Sequence, residues 1–259
     1  METVLITGAS SGIGLELARI FAANNFNLIL VARREKRLRE IAGELSEYNL
    51  SVEIITSDLS DLNASDQLFE EVKKRNLSVD ILVNNAGFGL EGHFPETNWN
   101  QESEMIRLNI FTLTGLTKHF SRQMIERGKG RILNVASTAA FLPGPYMSVY
   151  YATKAYVSSF SRALAYELKD QNISVSVLCP GPTTTEFQDR AGVADTALFN
   201  GKRLPISTAK QVAEAGFKGL MRGKTVIIPG VINKIGAISS RFAPASITNR
   251  MVEGLHKSR

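Results

Sequence analysis

Tyr150 and Lys154 bracket the run Tyr150, Tyr151, Ala152, Thr153, Lys154, and Ser137 stands thirteen residues ahead of Tyr150. On a helix, residues four apart share a face, so the Lys154 ammonium can approach the Tyr150 hydroxyl while Tyr151 points elsewhere. A cation there favours phenolate and draws a phenol pKa of about 10 toward the range useful for proton transfer. The chemistry on offer is acid/base work by a tyrosine. Taken alone, a Tyr and a Lys at this spacing more often pack a surface or a core, so the pair gains meaning from its company.

That company begins with Thr7, Gly8, Ala9, Ser10, Ser11, Gly12, Ile13 and Gly14, a glycine-rich turn after an apolar run and before an amphipathic segment. Glycines let backbone N–H groups and the positive end of a helix approach a diphosphate that side chains would obstruct. A purely structural turn is the alternative, disfavoured by the position after the first strand. A dinucleotide site usually has an acid about 20 positions further on for a ribose hydroxyl. Here that place holds Ala32, Arg33 and Arg34. Guanidinium groups make charge-assisted, often bidentate, bonds to phosphate oxygens, which favours NADP(H) over NAD(H). The competing reading makes residues 33–39 a solvated helix start. Asp58 and Leu59 follow the third apolar run, and Asn84, Asn85, Ala86 and Gly87 follow the fourth. Asp58 has a second reading as a helix cap. All these residues fall just beyond the carboxyl end of a strand, where open parallel sheets bind ligands.

The elements that must position them are short β-branched or Leu-rich runs: Val4 to Ile6, Asn27 to Ala32, Val52 to Thr56, Ile81 to Val83, Arg131 to Ala136, Val175 to Leu178 and Val226 to Ile228. Between them lie helical spacings such as Leu15, Ala18, Ala22, then Leu38, Ile41, Leu45, then Leu108, Leu116, Phe120, Met124. The alternation predicts an α/β fold of the Rossmann type, a doubly wound parallel sheet of about seven strands with helices on both faces. No repeat or linker divides the chain, so residues 1–259 read as a single domain. Residues 183–205, small and polar, read as a mobile substrate lid, and 229–259 as a carboxyl-terminal tail.

Of 259 residues, 44% are hydrophobic and 21% charged, which suits a globular chain with ample core and argues against disorder. The net charge of +5 comes with no basic stripe interleaved with aromatics, so nucleic acid is not an expected partner. Cys179, the lone cysteine, sits in an apolar run and reads as a buried structural thiol. Strand-like sequence from Thr3 leaves no room for a leader, and no uninterrupted apolar run reaches the length of a membrane span, so a cytoplasmic protein is expected. His93, His119 and His256 lack ligand spacing, so no metal is expected.

Together these residues resemble the short-chain dehydrogenase/reductase superfamily in its branch of about this length: Thr7 to Gly14, Asp58, Asn84 to Gly87, Asn109, Ser137, Tyr150 with Lys154, and Pro180 with Gly181. The likeness runs nearly without a break to Thr185. It implies an enzyme using NADP(H) on a small-molecule carbonyl or alcohol substrate. Tyr150 would then donate the proton, Ser137 would bond the substrate oxygen, and Lys154 would bind the nicotinamide ribose and depress the Tyr150 pKa. Asn109 would anchor a water linking Lys154 to solvent. Pro180, Gly181, Thr183 and Thr185 would position the carboxamide, Asp58 the adenine, and Asn85 the adenosine ribose. The family also implies a homo-oligomer, dimer or tetramer, pairing through the helices that bear Asn109 and Tyr150.

The chain departs from many relatives after Ile228, where Pro229, Gly230 and a tail of about thirty residues replace a glycine pair that packs in tetramers; tetramer geometry is therefore in doubt. The tail resembles the branch that includes acyl-chain and steroid-type ketone reductases. Phe88, Phe94, Leu142, Pro143, Tyr146, Phe187 and Phe199 suggest an apolar pocket, and each has an alternative place in the core. Two other readings compete: an epimerase or dehydratase of the extended branch, whose larger carboxyl-terminal domain is missing, and a non-catalytic NADP sensor, which would lack Ser137, Tyr150 or Lys154.

Overall fold

The computed structural model describes residues 1–193, 196, 206–240 and 243–256. Seven strands form one parallel sheet: β1 (Thr3–Thr7), β2 (Asn27–Ala32), β3 (Val52–Thr56), β4 (Ile81–Asn84), β5 (Gly130–Val135), β6 (Ile173–Leu178) and, at the far edge, β9 (Val226–Ile227). Their order is β3-β2-β1-β4-β5-β6-β9. The order reverses between β1 and β4, and such a switch point opens a crevice beyond the carboxyl ends of the strands. Two further strands, β7 (Thr183–Thr184) and β8 (Ser207–Thr208), pair with each other alone.

The strands are apolar runs because both sheet faces are covered. Side chains alternate between two cores. Val4, Ile6, Leu28 and Leu30 face α1 (Gly12–Ala23), α2 (Glu35–Glu44) and α8 (Ala209–Met221). Leu5, Ile29 and Val31 face the opposite layer, which contains α3 (Ala64–Lys74), α5 (Leu113–Arg127) and α6 (Ser148–Glu167). Phe21, Phe26 and Phe217 meet edge to face and tie α1 to α8. The helical spacings of the sequence map onto buried faces, with Leu38 and Ile41 in α2 and Leu116, Phe120 and Met124 in α5 fully or nearly enclosed. Between α4 (Trp99–Ile106) and α5 the chain winds as a π-helix over Arg107–Thr112, a widened turn the apolar spacing did not predict.

Of the lid expected over 183–205, Thr183–Thr184 form β7 and Phe187–Ala191 form the short α7. Residues 194, 195 and 197–205, Phe199 included, lie outside the described residues. The carboxyl-terminal stretch folds into two helices, α9 (Val231–Ser239) and α10 (Ala245–His256). Among the described residues no helix is long and apolar enough to cross a membrane, and no group of three or more His, Cys, Asp or Glu could hold a metal ion.

Candidate active site

The turn between β1 and α1 is built from backbone. Gly8 and Gly12 have φ of +66° and +54°, the left-handed region that glycine enters without strain. A Cβ on Gly14 would stand 2.3 Å from the Gly8 carbonyl oxygen and 2.5 Å from Asn85 Nδ2. Asn85 is the brace of this turn: its Nδ2 donates to the Thr7 carbonyl at 2.9 Å and to that of Gly8 at 3.3 Å. In return Thr7 Oγ1 accepts from the backbone N–H of Asn85 and of Ala86, each at 3.0 Å. The loops after neighbouring strands β1 and β4 are thereby locked together. Ser11, the N-cap of α1, makes no side-chain bond to its own helix, so the helix start faces outward with donors to offer.

At the outer end of the crevice the arginines already have partners. Arg33 Nη1 lies 3.5 Å from Asp58 Oδ2. Burial alone would raise the Asp58 pKa, but hydrogen bonds from Ser60 and the Arg33 charge outweigh it and hold the carboxyl below its ordinary value. Asp58 thus braces its own loop through Ser60 and is not the helix cap of its second reading, since the N-cap of α3 is Asn63. Arg34 donates to Ser10 Oγ at 3.1 Å and forms an ion pair with Glu186 at 2.8 Å. Glu186 and Arg190, which stacks on the Phe88 ring at 4.2 Å, are site residues that motif reading missed. Both come from α7 and its approach, where no motif marks them.

At the inner end, β5 delivers Ser137 and α6 delivers Tyr150 and Lys154. Ser137 caps the helical turn that follows it: its Oγ accepts from Ala139 N at 3.1 Å and donates to the Pro180 carbonyl at 3.4 Å. The Tyr150 hydroxyl is hydrogen-bonded to Ser137, while burial pushes its pKa up to about 12. Lys154 Nζ donates to the Val135 carbonyl at 3.0 Å and stands 5.7 Å from the centre of the Tyr150 ring. Burial drops the Lys154 pKa to about 8. The i,i+4 spacing does bring the two together, but the expected depression of the Tyr150 pKa by Lys154 is not found. The ammonium lies near the ring and turns to a carbonyl, and desolvation dominates both groups. Tyr151 also departs from expectation. It lines the same cleft, edge-on to Tyr150 with ring centres 6.1 Å apart and its own ring over Gly144.

Asn109 sits on the π-helical turn and is fixed on three sides. Its Oδ1 accepts from Phe88 N at 3.3 Å; its Nδ2 donates to the Phe88 carbonyl at 3.0 Å and to Thr153 Oγ1 at 3.1 Å. A Cβ on Gly87 would come within 2.9 Å of Asn109 Oδ1 and 3.3 Å of Lys154 Nζ, so both side chains close on that glycine. Thr153, inside the motif but not singled out from it, is the residue that connects Asn109 to the tyrosine helix: its hydroxyl also donates to the Tyr150 carbonyl at 2.7 Å.

One cleft of about 900 Å³ connects these ends, near the upper limit of small-molecule sites. Gly8, Ser10, Ser11, Gly12 and Ile13 line it, as do Arg33, Arg34, Asp58 and Leu59. So do Asn85, Ala86 and Gly87, the trio Ser137, Tyr150 and Lys154, and Pro180, Gly181, Thr183 and Thr185. Gly14 and Asn109 do not line it; they act through the residues they support. Of the apolar residues expected at the mouth, Leu142 and Phe187 line the cleft, Phe88 is buried under Arg190, and Phe94 is largely exposed and apart from it. The tail supplies a wall that the sequence did not reveal: Ile232 and Asn233 of α9, and Ile247, Met251 and Leu255 of α10. Asn233 is buried against Gly181, where a Cβ would meet its side chain at 2.5 Å. Cys179 is buried, its thiol pushed up to about 12, consistent with a structural role.

A doubly wound parallel sheet with a glycine cradle at its switch point and a tyrosine, serine and lysine at the next strand ends defines the class of Rossmann-type dinucleotide folds. Comparison with known proteins narrows the class. The family profile of short chain dehydrogenases matches residues 2–195. A zebrafish (Danio rerio) protein named dehydrogenase/reductase SDR family member 7B is 32% identical over 228 residues, covering 83% of this chain and 74% of that one. A fatty acyl-CoA reductase of Mycobacterium tuberculosis is 31% identical, covering 96% and 84%. Among solved structures, a short-chain dehydrogenase from Sphingobium yanoikuyae in complex with NADPH aligns with a TM-score of 0.84 at 32% identity, over 93% of this chain and 94% of that one. The chain belongs to the short-chain dehydrogenase/reductase family of oxidoreductases.

Proposed function

We propose that the chain is an NADP(H)-dependent oxidoreductase that interconverts a carbonyl and an alcohol, with Tyr150 as general acid and base. One arrangement carries this reading: a buried tyrosine hydroxyl bonded to Ser137 and flanked by Lys154, on a cleft that continues to a glycine cradle. The cradle suits a diphosphate, because left-handed glycines and the start of α1 present backbone to the cleft without side chains in the way. Ser11, Gly12 and Ile13 would hold the diphosphate, Ser10, Arg33 and Arg34 the 2′-phosphate, Lys154 the nicotinamide ribose, and Thr183 and Thr185 the carboxamide. Bound there, the cofactor supplies the hydride.

The protein manages the proton. With a pKa near 12, Tyr150 is protonated at neutral pH and ready to donate to a carbonyl oxygen. Ser137 Oγ, whose bond to Pro180 is long, can turn its hydrogen to that same oxygen and stabilise charge forming on it. For oxidation the phenol must first lose its proton, and Lys154 is the nearby cation able to favour that when its ammonium swings from Val135 toward the hydroxyl. Asn109 and Lys154, meeting at Gly87, offer a route by which the proton is replaced from outside. Leu142, Phe187, Ile247, Met251 and Leu255 make the substrate end apolar, which favours a bulky apolar ketone or aldehyde. The NADPH held by the Sphingobium relative supports the cofactor choice.

Following NADPH consumption against a panel of ketones and aldehydes tests the reading. Turnover of at least one apolar carbonyl, faster with NADPH than with NADH, is expected. Tight NADPH binding with no turnover across the panel would make the chain a nucleotide sensor instead.

A further inference from the structure

Helix α9 is turned inside out. Its buried face holds Asn233 and Ala237, whereas Val231, Ile235 and Ile238 are 74%, 61% and 52% exposed. At spacings of four and three residues these three side chains stand on one stripe of the helix. Ile232 on the adjoining arc is also exposed but lines the cleft. Helix α10 repeats the pattern with Ile247 and Met251, one turn apart, both mostly exposed and both at the cleft. Residues that line a cleft yet remain this exposed lie at its rim, so the apolar stripes border its mouth.

Charge is segregated to the same part of the chain. Residues 222–259 contain seven of the 30 Lys and Arg beside one acid, Glu253, a net +6, while the rest of the chain holds a net −1. The whole positive balance of the protein therefore belongs to the segment that carries the stripes. Lys234 and Arg250, both exposed, sit within the two helices. Exposed aliphatic stripes on helices that carry Lys234 and Arg250, in a segment of net positive charge, match an interfacial helix on a bilayer with anionic headgroups.

We propose that α9 and α10 form a docking surface for an anionic phospholipid bilayer, with Val231, Ile235 and Ile238 entering the headgroup boundary and the flanking Lys and Arg on phosphates. A second copy of the chain suits this face less well, because a two-fold contact would set its excess of cations against itself. Nucleic acid suits it less, because aliphatic side chains give bases no ring to stack on. A cleft that opens within such a surface faces lipid, where apolar carbonyl compounds dissolve. That consequence rests on the proposed reductase activity; docking does not.

Sedimentation of the full chain with vesicles is the test. Wild-type protein should pellet with mixed phosphatidylcholine and phosphatidylglycerol and remain in the supernatant with phosphatidylcholine alone, and raising the salt should release it. The triple variant Val231→Ser, Ile235→Ser, Ile238→Ser alters exposed residues that do not line the cleft. It should melt like the wild type and partition at least about tenfold less, since each aliphatic side chain buried is worth about that factor. Lys234→Glu should weaken binding about 25-fold, each unit of charge at such a surface being worth about fivefold and the reversal changing two. Wild-type protein that ignores anionic vesicles, or a triple variant that binds as well as wild type, overturns the proposal. So does a triple variant with a smaller sedimentation mass, which would make the face a contact between copies.

Discussion

The two ends of the cleft are built differently. Around β1 and β4, position is set by backbone: Gly8, Gly12 and Gly14 can be nothing larger, and Thr7 and Asn85 bond main-chain atoms of neighbouring loops. Around α9 and α10, position is set by side-chain bulk, with Ile232, Ile247, Met251 and Leu255 forming a wall that any aliphatic residue of similar size could form. Chemistry common to many substrates can rest on the first kind of construction, because a diphosphate and a hydride have fixed geometry. Substrate choice calls for the second, which changes shape with each substitution and leaves the cradle untouched. The two ends should therefore respond separately to mutation.

The largest separable effect is expected at the cradle end. Replacing Ala32 with Asp and Arg33 with Ser removes a cation and adds an acid suited to a ribose diol. A charge-assisted hydrogen bond is worth roughly 1.5 to 3 kcal/mol, or about 10-fold to 150-fold in affinity. The wild type should prefer NADPH by at least that order, and the double variant should reverse the ranking without weakening NADH, as read by titrating both cofactors. Equal wild-type affinities would remove Arg33 as the phosphate ligand and leave Arg34, despite its pairing with Glu186, as the candidate.

The next effect lies at the junction of the two ends. Lys154 titrates near 10.5 when unfolded and near 8 in the fold, so the folded protein bears an unfavourable buried cation. That cost is fully present below pH 8, at roughly 3 kcal/mol, and disappears as pH rises to 10.5 because the unfolded chain then also loses the proton. Lys154→Met should therefore lose turnover and yet be more stable at pH 7. The net gain is about 2 kcal/mol once about 1 kcal/mol is allowed for the Val135 carbonyl losing its donor. Melting curves of both proteins should show the gap in Tm shrinking above pH 8 and changing sign by pH 10.5, where only the lost bond to Val135 remains. Cys179, though coupled to Lys154, is held up at about 12 by burial, so its folded thiol keeps its proton across this window and adds little to the difference. A constant gap would mean that Lys154 is not desolvated.

The smallest effect belongs to the tail wall. Met251→Ala should change KM for bulky apolar ketones by about tenfold, the scale of a few methylenes in an apolar pocket, while leaving NADPH affinity as it was. A matching loss of cofactor affinity would erase the distinction between the ends.

The same contrast governs what could be read from the chain alone. Strands such as Asn27–Ala32 and Ile81–Asn84 were legible because central parallel strands buried on both faces read as nearly continuous apolar runs. The glycine turn and the Tyr150, Lys154 pair were legible because their chemistry constrains residue type. Asn233 beneath Gly181 and Glu186 on Arg34 were not, since each joins segments whose approach depends on how the chain after β6 folds back. The Tyr150 pKa was misjudged for a related reason: spacing reveals which residues share a helix face, but burial, which moves both Tyr150 and Lys154 more than their mutual influence does, depends on the surrounding layers.

Reduction of an apolar ketone with NADPH carrying deuterium at both positions of nicotinamide C4, by wild type and by Tyr150→Phe, tests the central claim most directly. Direct hydride transfer with Tyr150 as proton donor predicts deuterium on the carbinol carbon of the wild-type product. It also predicts turnover lower by about 100-fold or more in Tyr150→Phe, with NADPH affinity nearly unchanged and Tyr151→Phe mild. Product without deuterium, or a Tyr150→Phe protein as fast as wild type, would contradict it.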